Sequence, residues 1–380
     1  MLLPLTLFVL CLALAFGASC VVADDSPRSA FDEPGRAARR SAGLIYPLED
    51  RPTPQCHAST IAQSTDGGLV ASWFGGAEEG DEDVGIWVSR RIDGKWARPV
   101  EVATGAEGES RDHPCWNPVL FQPTQGPLML FYKVGPTPRS WWGVQMTSDD
   151  GGATWGHRRR LGKDAAVGHL VGPVKNKPIE RDDGSILCPS STEHDGWRVH
   201  FEITDDLGAT WRVIGPIHDG AQFDAIQPSI LDYGDGRLQV LCRTRQSVLG
   251  QAWSENGGDA WSKISAMELP NPSAGVDAVT LQDGRQLLVY NHTSRAKGFP
   301  RKRNMLNVAF SRDGRQWHAA LVLELDQGEY SYPSVIQATD GRVHVTYTWR
   351  RQSVKHVVID PAKLRGAPIV DGAWPIREAR

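Results

Sequence analysis

The 380-residue sequence predicts an all-β fold: a six-bladed β-propeller with four antiparallel strands in each blade. Two observations support this fold class. A motif of the form Ser-x-Asp-x-Gly-x-Thr-Trp recurs along the chain, and six Gly-containing turns divide it into units of similar length. The 39 Gly and 25 Pro residues also suit a turn-rich chain. A β-helix needs shorter repeats, and a pair of sandwiches does not explain one period throughout.

The recurring motif is clearest at residues 148–155, and weaker copies lie at 204–211 and 254–261. Degenerate copies lie at 89–96 and 311–317, and the closing Trp residues are 50 to 59 positions apart. Its Asp is expected to accept bonds from nearby backbone N–H groups while its Gly takes a positive φ. The Trp then begins a strand and packs between neighbouring sheets. The motif therefore predicts a fold and not an activity.

Six dipeptides between apolar runs predict hairpin turns. They are Asp66-Gly67, Gln125-Gly126, Asp183-Gly184, Asp235-Gly236, Asp283-Gly284 and Asp340-Gly341. Each turn joins the first and second strands of a unit, a third strand enters the Trp motif, and a fourth follows it. The sixth unit lacks the Trp motif, so we expect residues 44–46 to supply its outer strand and close the ring.

The N-terminus is typical of an exported protein. Residues 2–16 are almost wholly apolar, and small residues then lead to Asp24, so residues 1–23 are predicted to be a signal peptide. Lipid attachment at Cys20 is the alternative. Residues 24–43 are predicted to be a disordered leader, and residues 44–380 the propeller domain. We expect a secreted or periplasmic protein with no integral membrane span after signal cleavage.

Composition excludes some classes of partner. A net charge of −4 gives no indication of nucleic-acid binding. No C-x-x-C or other metal motif is present, so no metal or cofactor is predicted. The Cys residues beyond the signal peptide are expected to be buried free thiols, with a Cys56–Cys115 bridge as the alternative. These residues are Cys56, Cys115, Cys188 and Cys242.

Chemistry in a propeller is expected where the first strands enter the central channel. Cationic side chains outnumber carboxylates at those positions, although the whole chain is slightly acidic. A cationic mouth favours an anionic ligand, and the forked donors of Arg suit a carboxylate or sulfate. The candidate binding residues are Arg243, Arg245, Arg303, Trp116, Asn117, Lys175, Lys177, Gln227, Asp277, His292 and Arg350.

The Trp-closed turns, together with segments such as Trp73-Phe74-Gly75-Gly76 and Gly328-Glu329-Tyr330-Ser331-Tyr332-Pro333, resemble the sialidase superfamily in its subgroup of secreted BNR-repeat proteins. The resemblance covers roughly residues 44–360. It implies an exo-glycosidase that hydrolyses a terminal acidic sugar, with three Arg on the sugar carboxylate, a Tyr nucleophile paired with a Glu, and an Asp acid/base.

Carrying these roles over by position gives the predicted catalytic residues. Tyr330 or Tyr332 falls where the nucleophile belongs, and Glu193 is the candidate partner. Asp83 or Asp81, with Glu79 as a reserve, falls on the acid/base loop. Arg303, with Arg243 or Arg245, supplies two of the three arginines. His57 occupies the place of the first family Arg.

His57 opens two alternatives to the hydrolase. A His beside a Tyr, within a set of Arg and Lys residues, resembles propeller polysaccharide lyases and rhamnose–glucuronate-cleaving enzymes. There, His or Tyr would take the C5 proton of a uronate whose carboxylate is neutralised by cations. The second alternative is a non-catalytic carbohydrate-binding propeller. All three hypotheses share an acidic glycan or oligosaccharide as partner.

Overall fold

Six antiparallel sheets surround a common channel in the computed structural model, which describes residues 33–106, 112–294 and 303–376. The predicted six-bladed β-propeller is confirmed, since the strands of each sheet follow one another in chain order from the innermost outward, except that an N-terminal strand completes the sixth sheet. The expected signal peptide and Cys20 lie outside the described residues. No helix in the described part is long and apolar enough to cross a membrane.

The strands are numbered along the chain. β1 (Arg39–Leu44) is the outer strand of blade six. Blade one contains β2 (Gln55–Gln63), β3 (Leu69–Gly76), β4 (Gly85–Ile92), β5 (Lys95–Trp96) and β6 (Val100–Ala103). Blade two contains β7 (Cys115–Phe121), β8 (Leu128–Val134), β9 (Trp142–Ser148) and β10 (Gly156–Arg160), and it is followed by the hairpin β11 (Lys163–Asp164) and β12 (Gly168–His169).

The remaining blades repeat this order. Blade three contains β13 (Ile179–Glu180), β14 (Ile186–Thr192), β15 (Arg198–Thr204) and β16 (Arg212–Ile214). Blade four contains β17 (Ala225–Asp232), β18 (Leu238–Thr244), β19 (Val248–Ser254) and β20 (Ser265–Pro270). Blade five contains β21 (Asp277–Thr280), β22 (Gln286–Asn291), β23 (Leu306–Ser311), β24 (Trp317–Glu324) and β28 (Ala367–Pro368). Blade six contains β25 (Tyr330–Gln337), β26 (Val343–Trp349) and β27 (Ser353–Ile359), and single 3-10 turns lie at Arg36–Ala38, Leu48–Asp50 and Pro361–Lys363.

The ring closes through a strand from the N-terminal side, but that strand begins earlier than expected. β1 pairs with β27 from Arg39 opposite Ile359 to Leu44 opposite Lys355. The predicted domain start at Leu44 is therefore too late, and residues 33–43 belong to the propeller. The physical reason is that this edge strand is mostly exposed, so it lacks the apolar alternation that reveals a strand in sequence.

The Trp-closed turns have the predicted internal bonding. In the clearest copy, Asp150 accepts hydrogen bonds from Thr154 N at 2.8 Å and Thr154 Oγ1 at 2.6 Å. Each closing indole packs on the preceding blade: Trp261 stacks on Phe201 of blade three with ring centroids 4.3 Å apart. These local bonds and inter-blade contacts explain why the motif carries the period of the fold.

Hydroxyl side chains of the inner strands join neighbouring blades around the channel. Their oxygens accept hydrogen bonds from backbone N–H groups in the first strand of the adjacent blade, so these buried N–H groups have hydrogen-bond partners. The pairs are Thr60 Oγ1 with Leu120 N, Ser334 Oγ with Ile61 N, and Ser229 Oγ with Ala278 N. The four Cys residues that were expected to be free thiols are buried and unbridged.

Every blade has a strained residue where its first strand meets the channel mouth. In four blades the strand register shifts at this point, as in a β-bulge, and the residue within the shift has a positive φ. In blades three and five the positive-φ residue precedes the strand. These residues are Ala58 (φ 53°), Asn117 (39°), Lys175 (73°), Gln227 (56°), Ser273 (61°) and Tyr332 (52°).

Candidate functional site

The channel mouth brings residues from four blades together around Tyr332. Arg243 Nη1 donates a hydrogen bond to the Tyr332 hydroxyl at 2.6 Å. The His57 ring lies against the Tyr332 ring, with centroids 4.2 Å apart, and the Arg303 guanidinium lies 5.4 Å from that ring centroid. All four residues were predicted from the sequence, and the structure brings their side chains together.

His57 is a buried imidazole surrounded by cations. Its Nδ1 lies 3.0 Å from Thr348 Oγ1, and Nε2 is the ring nitrogen that this hydrogen bond does not involve. Burial holds the pKa of His57 well below its usual value of 6.5, and the charges of Arg351 and Arg303 lower it further. The ring is therefore neutral at neutral pH and offers an acceptor nitrogen, while burial and the neighbouring cations oppose its protonation.

Arg243 is a half-buried cation that lacks a carboxylate within 4 Å among the described residues. Besides Tyr332, its guanidinium donates to Ser273 Oγ at 3.3 Å and to Gln227 Oε1 at 3.5 Å. Burial lowers the pKa of Arg243, but a guanidinium stays charged in proteins. An unneutralised, partly buried charge is unfavourable, so this side chain is disposed to bind an anion.

Trp197 organises the arginines of blade four and was missed by sequence reasoning. The guanidinium groups of Arg243 and Arg245 lie 4.8 Å and 4.3 Å from the centroid of its ring. Its Nε1 donates to Glu193 Oε2 at 2.8 Å. Its position could have identified it, because Trp197 lies in the connection between the second and third strands of blade three, and such connections were expected to form the mouth.

Glu193 lies beside these arginines and not on the nucleophile candidate. Burial raises its pKa above the usual range, although the charge of Arg243 opposes the shift. No hydrogen bond joins Glu193 to the Tyr332 hydroxyl in the part of the chain that the structure describes. The structure thus places Glu193 as the acceptor of Trp197 and not as the expected partner of the tyrosine.

A chain of ion pairs crosses the mouth from blade five to blade one. Glu329 binds Arg303 Nη1 and Arg351 Nε, each at 3.0 Å, and Arg351 Nη1 binds Glu79 at 2.6 Å. Although burial alone would raise the pKa of Glu329, Arg351 and Arg303 hold it below its usual value. Neither Glu329 nor Arg351 was among the predicted site residues, because their pairing joins distant parts of the chain.

Tyr330 and Arg350 lie together, away from Tyr332. The Tyr330 side chain is buried between blades five and six, and its hydroxyl bonds to Gln327 O and Arg350 Nε. Arg350 also lies over the ring of Trp349. The choice between two tyrosines that the sequence left open is therefore resolved in favour of Tyr332 as the residue at the mouth.

Three other predicted site residues have structural neighbours of their own. The Asp83 carboxylate accepts the Ala77 N–H at 2.9 Å and so braces the acidic loop of blade one. Trp116 donates from Nε1 to Gly135 O and packs edge-on against neighbouring aromatic rings. His292 is buried against Trp374, and burial lowers its pKa to about 4. None of these contacts is with Tyr332 itself, although Trp116 packs on Phe74, whose ring also contacts His57.

The remaining predicted residues line or link the inner strands. Lys177 Nζ pairs with the buried Asp277 carboxylate at 2.9 Å, which makes this pair an inter-blade brace. Lys175 Nζ bonds Asn176 Oδ1 and the carbonyls of Val276 and Pro333, and burial lowers its pKa to about 7. Asn117 is buried at its bulge, and its carbonyl oxygen accepts a bond from Lys133.

Gly275 lets the side chains of three blades converge next to the tyrosine. A Cβ atom at this position would lie 3.2 Å from Gln227 Oε1, 3.2 Å from Lys175 Cε and 3.4 Å from the Tyr332 ring. The side chains of Gln227 and Lys175 therefore lie close to Tyr332. Within the described residues, no group of three or more His, Cys, Asp or Glu side chains could hold a metal ion.

Comparison with known proteins places this geometry in a family. The model of the BNR repeat-like domain matches residues 67–345. A solved protein of unknown function from Dyadobacter fermentans is similar at 18% identity and a TM-score of 0.71, over 86% of this chain and 99% of that one. A search of curated proteins found no match.

Sialidases are also among the similar solved structures. The NanB sialidase from Streptococcus pneumoniae has 13% identity and a TM-score of 0.68, over 86% of this chain and 71% of that one. The intramolecular trans-sialidase from Ruminococcus gnavus has 13% identity and a TM-score of 0.68, over 87% of this chain and 99% of that one. At such identities the likeness establishes the fold alone.

Proposed function

The chain belongs to the BNR repeat-like domain family, and from that premise we propose that it is a glycoside hydrolase that removes a terminal acidic sugar from a glycan. The observation that carries this proposal is the 2.6 Å contact of Arg243 with the Tyr332 hydroxyl, in a mouth that also contains Arg303 and His57. A cation without a carboxylate partner and a phenol at one point suit an anionic sugar.

Arg243 is our candidate for binding the sugar carboxylate, with Arg303 beside it. A charge-assisted hydrogen bond contributes about 1.5–3 kcal/mol, and the forked guanidinium matches the two oxygens of a carboxylate. Arg303 already pairs with Glu329, so it would contribute less than the unpaired Arg243. This difference predicts that Arg243 dominates the affinity for the acid group.

Tyr332 is our candidate nucleophile. A neutral phenol can approach an anionic sugar, whereas a carboxylate would be repelled by it. In this mechanism the Tyr332 oxygen attacks the anomeric carbon, the bond to the leaving oxygen breaks, and His57, whose ring lies against that of Tyr332, takes the phenol proton. Water then attacks the anomeric carbon and breaks its bond to Tyr332; the Tyr332 oxygen recovers its proton from His57, and the acid residue accepts the proton that water loses. Asp83, on the blade-one loop, remains our candidate for protonating the leaving oxygen, because Glu79 is the anionic partner of Arg351 in an ion pair.

A polysaccharide lyase is the second candidate, and one feature favours it. Among the described residues the Tyr332 hydroxyl contacts a guanidinium and no carboxylate, while a neutral imidazole lies beside its ring. In a lyase, His57 or Tyr332 would remove the C5 proton of a uronate, a C4=C5 double bond would form, and the bond to the C4 oxygen would break. Arg243 would neutralise the carboxylate and so acidify that proton.

Parallel assays distinguish these functions. The protein is incubated with an arylated sialoside and, separately, with acidic polysaccharides. Release of the aryl group supports the hydrolase, whereas ultraviolet absorbance of an unsaturated uronate without aryl release supports the lyase. Binding of acidic glycans without turnover identifies the non-catalytic propeller, and absence of binding to any acidic glycan contradicts the shared premise. The Tyr332→Phe variant is the control for turnover.

We also propose that the protein is exported, on the basis of its apolar N-terminus. Expression of the full chain followed by N-terminal sequencing tests this. A mature protein that begins at Asp24 and leaves the cytoplasm agrees with signal cleavage, whereas a lipid-modified Cys20 in the membrane fraction indicates an anchored protein.

A further inference from the structure

The two sides of the channel mouth differ in their balance of charge. On one side, Arg303 and Arg351 are matched by Glu329 and Glu79 in the ion-pair chain. On the other side, three guanidinium groups lie near one carboxylate, that of Glu193. These groups belong to Arg139, Arg243 and Arg245.

Among the described residues, no ion pair offsets the excess positive charge around Glu193. None of the three arginines has an ion pair within 4 Å in residues 33–106, 112–294 and 303–376. The nearby Asp224 is paired with Arg198. One carboxylate therefore faces three cations, which leaves a surplus for an anionic ligand. Arg243 already donates a hydrogen bond to the Tyr332 hydroxyl, so Arg139 and Arg245 are the cations available to bind a second anionic group.

Arg245 is exposed yet held in place. Its guanidinium stacks 4.3 Å from the centroid of Trp197, and its backbone N–H donates to Asp224 O at 3.1 Å. A planar guanidinium that rests on an indole keeps its N–H edges available for another partner. Such an ordered cation loses less entropy on binding than a freely rotating one.

Arg139 completes this side of the mouth from blade two. It is exposed and lines a small cleft with Glu193, His169 and Trp141. Burial and the nearby charges of Lys163 and Arg160 hold the pKa of His169 below its usual value. The cleft therefore lies in cationic surroundings, and it shares Glu193 with the Trp197 cluster.

We propose that Arg139 and Arg245 form a second anion-binding subsite beside the Tyr332 pocket. Resting on the proposed function, this identifies the substrate as an acidic oligosaccharide in which the sugar next to the one at Tyr332 also carries a carboxylate or a sulfate. A glycan with one acidic sugar on a neutral chain fills only the first pocket.

Binding measurements test the subsite separately from catalysis. Affinities are measured by calorimetry in a Tyr332→Phe background, so that turnover cannot consume the probes. The probes are oligogalacturonate, a sulfated chondroitin oligosaccharide and sialyllactose, which carries one carboxylate on a neutral glycan. Arg139→Gln and Arg245→Gln are compared with Arg98→Gln, which removes an exposed charge on the outer edge of blade one.

We expect Arg139→Gln and Arg245→Gln each to weaken binding of at least one multiply charged probe about tenfold, the loss of one charge-assisted contact. Sialyllactose binding should stay within twofold, and Arg98→Gln should change nothing. The probe that responds distinguishes carboxylate from sulfate. Unchanged affinity for both multiply charged probes overturns the subsite while leaving the proposed function intact, as does an equal loss for sialyllactose. Failure of all acidic probes to bind both the unsubstituted protein and the Tyr332→Phe variant with Arg139 and Arg245 intact overturns the proposed function as well.

Discussion

Replacing each of two neighbouring tyrosines by phenylalanine separates a reacting phenol from a structural one. Tyr330 and Tyr332 lie two residues apart on β25, and each hydroxyl accepts one arginine N–H. The distance is 2.6 Å from Arg243 to Tyr332 and 3.0 Å from Arg350 to Tyr330. Each Phe substitution therefore deletes one oxygen and one charge-assisted bond, so the two variants are close controls for each other.

The cost to folding should be similar and moderate. Tyr332 is buried and Arg243 is half-buried, so Tyr332→Phe should lower the free energy of unfolding by about 1.5–3 kcal/mol. Arg350 is largely exposed, and solvent screening reduces the corresponding cost for Tyr330→Phe to about 1 kcal/mol. Urea denaturation measures both values. A folded protein is expected in each case, so any large difference in turnover reflects the chemistry.

Turnover should respond to one variant alone. Removing a nucleophile typically lowers kcat by at least about a thousandfold, so Tyr332→Phe should be nearly inactive on the substrate found in the parallel assays. Tyr330→Phe should stay within about threefold of the unsubstituted protein. Mass spectrometry of a trapped reaction should also place a glycosyl adduct on the peptide that contains Tyr332. Loss of turnover in Tyr330→Phe with retention in Tyr332→Phe would refute the assignment.

Three further predictions concern the scaffold. Asp277→Asn should lower the free energy of unfolding by about 3 kcal/mol because it leaves Lys177 without its charged partner. In a double-mutant cycle measured by denaturation, Asp277→Asn combined with Lys177→Met should lower the free energy of unfolding by less than the sum of the two single changes. Asp150→Ala should lower the thermal midpoint because the turn loses its acceptor, whereas Asp149→Ala should not. The pKa of His292 is about 4 in the folded protein and 6.5 in the unfolded chain. Its contribution to the free energy of unfolding is therefore complete above about pH 6.5, and it is lost as the pH falls, at up to about 1.4 kcal/mol per pH unit. His292→Asn should reduce that slope in denaturation measured between pH 7 and 5.

The number of blades was predictable because its determinants are local. A turn such as 148–154 closes through bonds within seven residues, and the Gly of each hairpin takes the positive φ that its turn requires, as in Gly67 with φ 85°. The strand β1 was placed too late because an exposed edge strand carries no apolar period. Contacts such as Glu329 with Arg351 were missed because they join residues that only the closed ring brings together.

Strand periodicity could not predict which of the two tyrosines faces the mouth, because the backbone is irregular at this point. In a regular strand, residues two apart point to the same face, so Tyr330 and Tyr332 would both face the channel or both face the blade. The register of β25 against β26 shifts between Ser331 and Ser334, and Tyr332 takes a φ of 52° within that shift. The bulge breaks the alternation, turns Tyr332 into the mouth and leaves Tyr330 in the core between blades five and six. Five other blades strain one residue at the same place, and strain of this kind persists where the surrounding structure enforces it, often at functional sites. The propeller therefore positions its candidate catalytic group through an irregularity that strand periodicity cannot reveal.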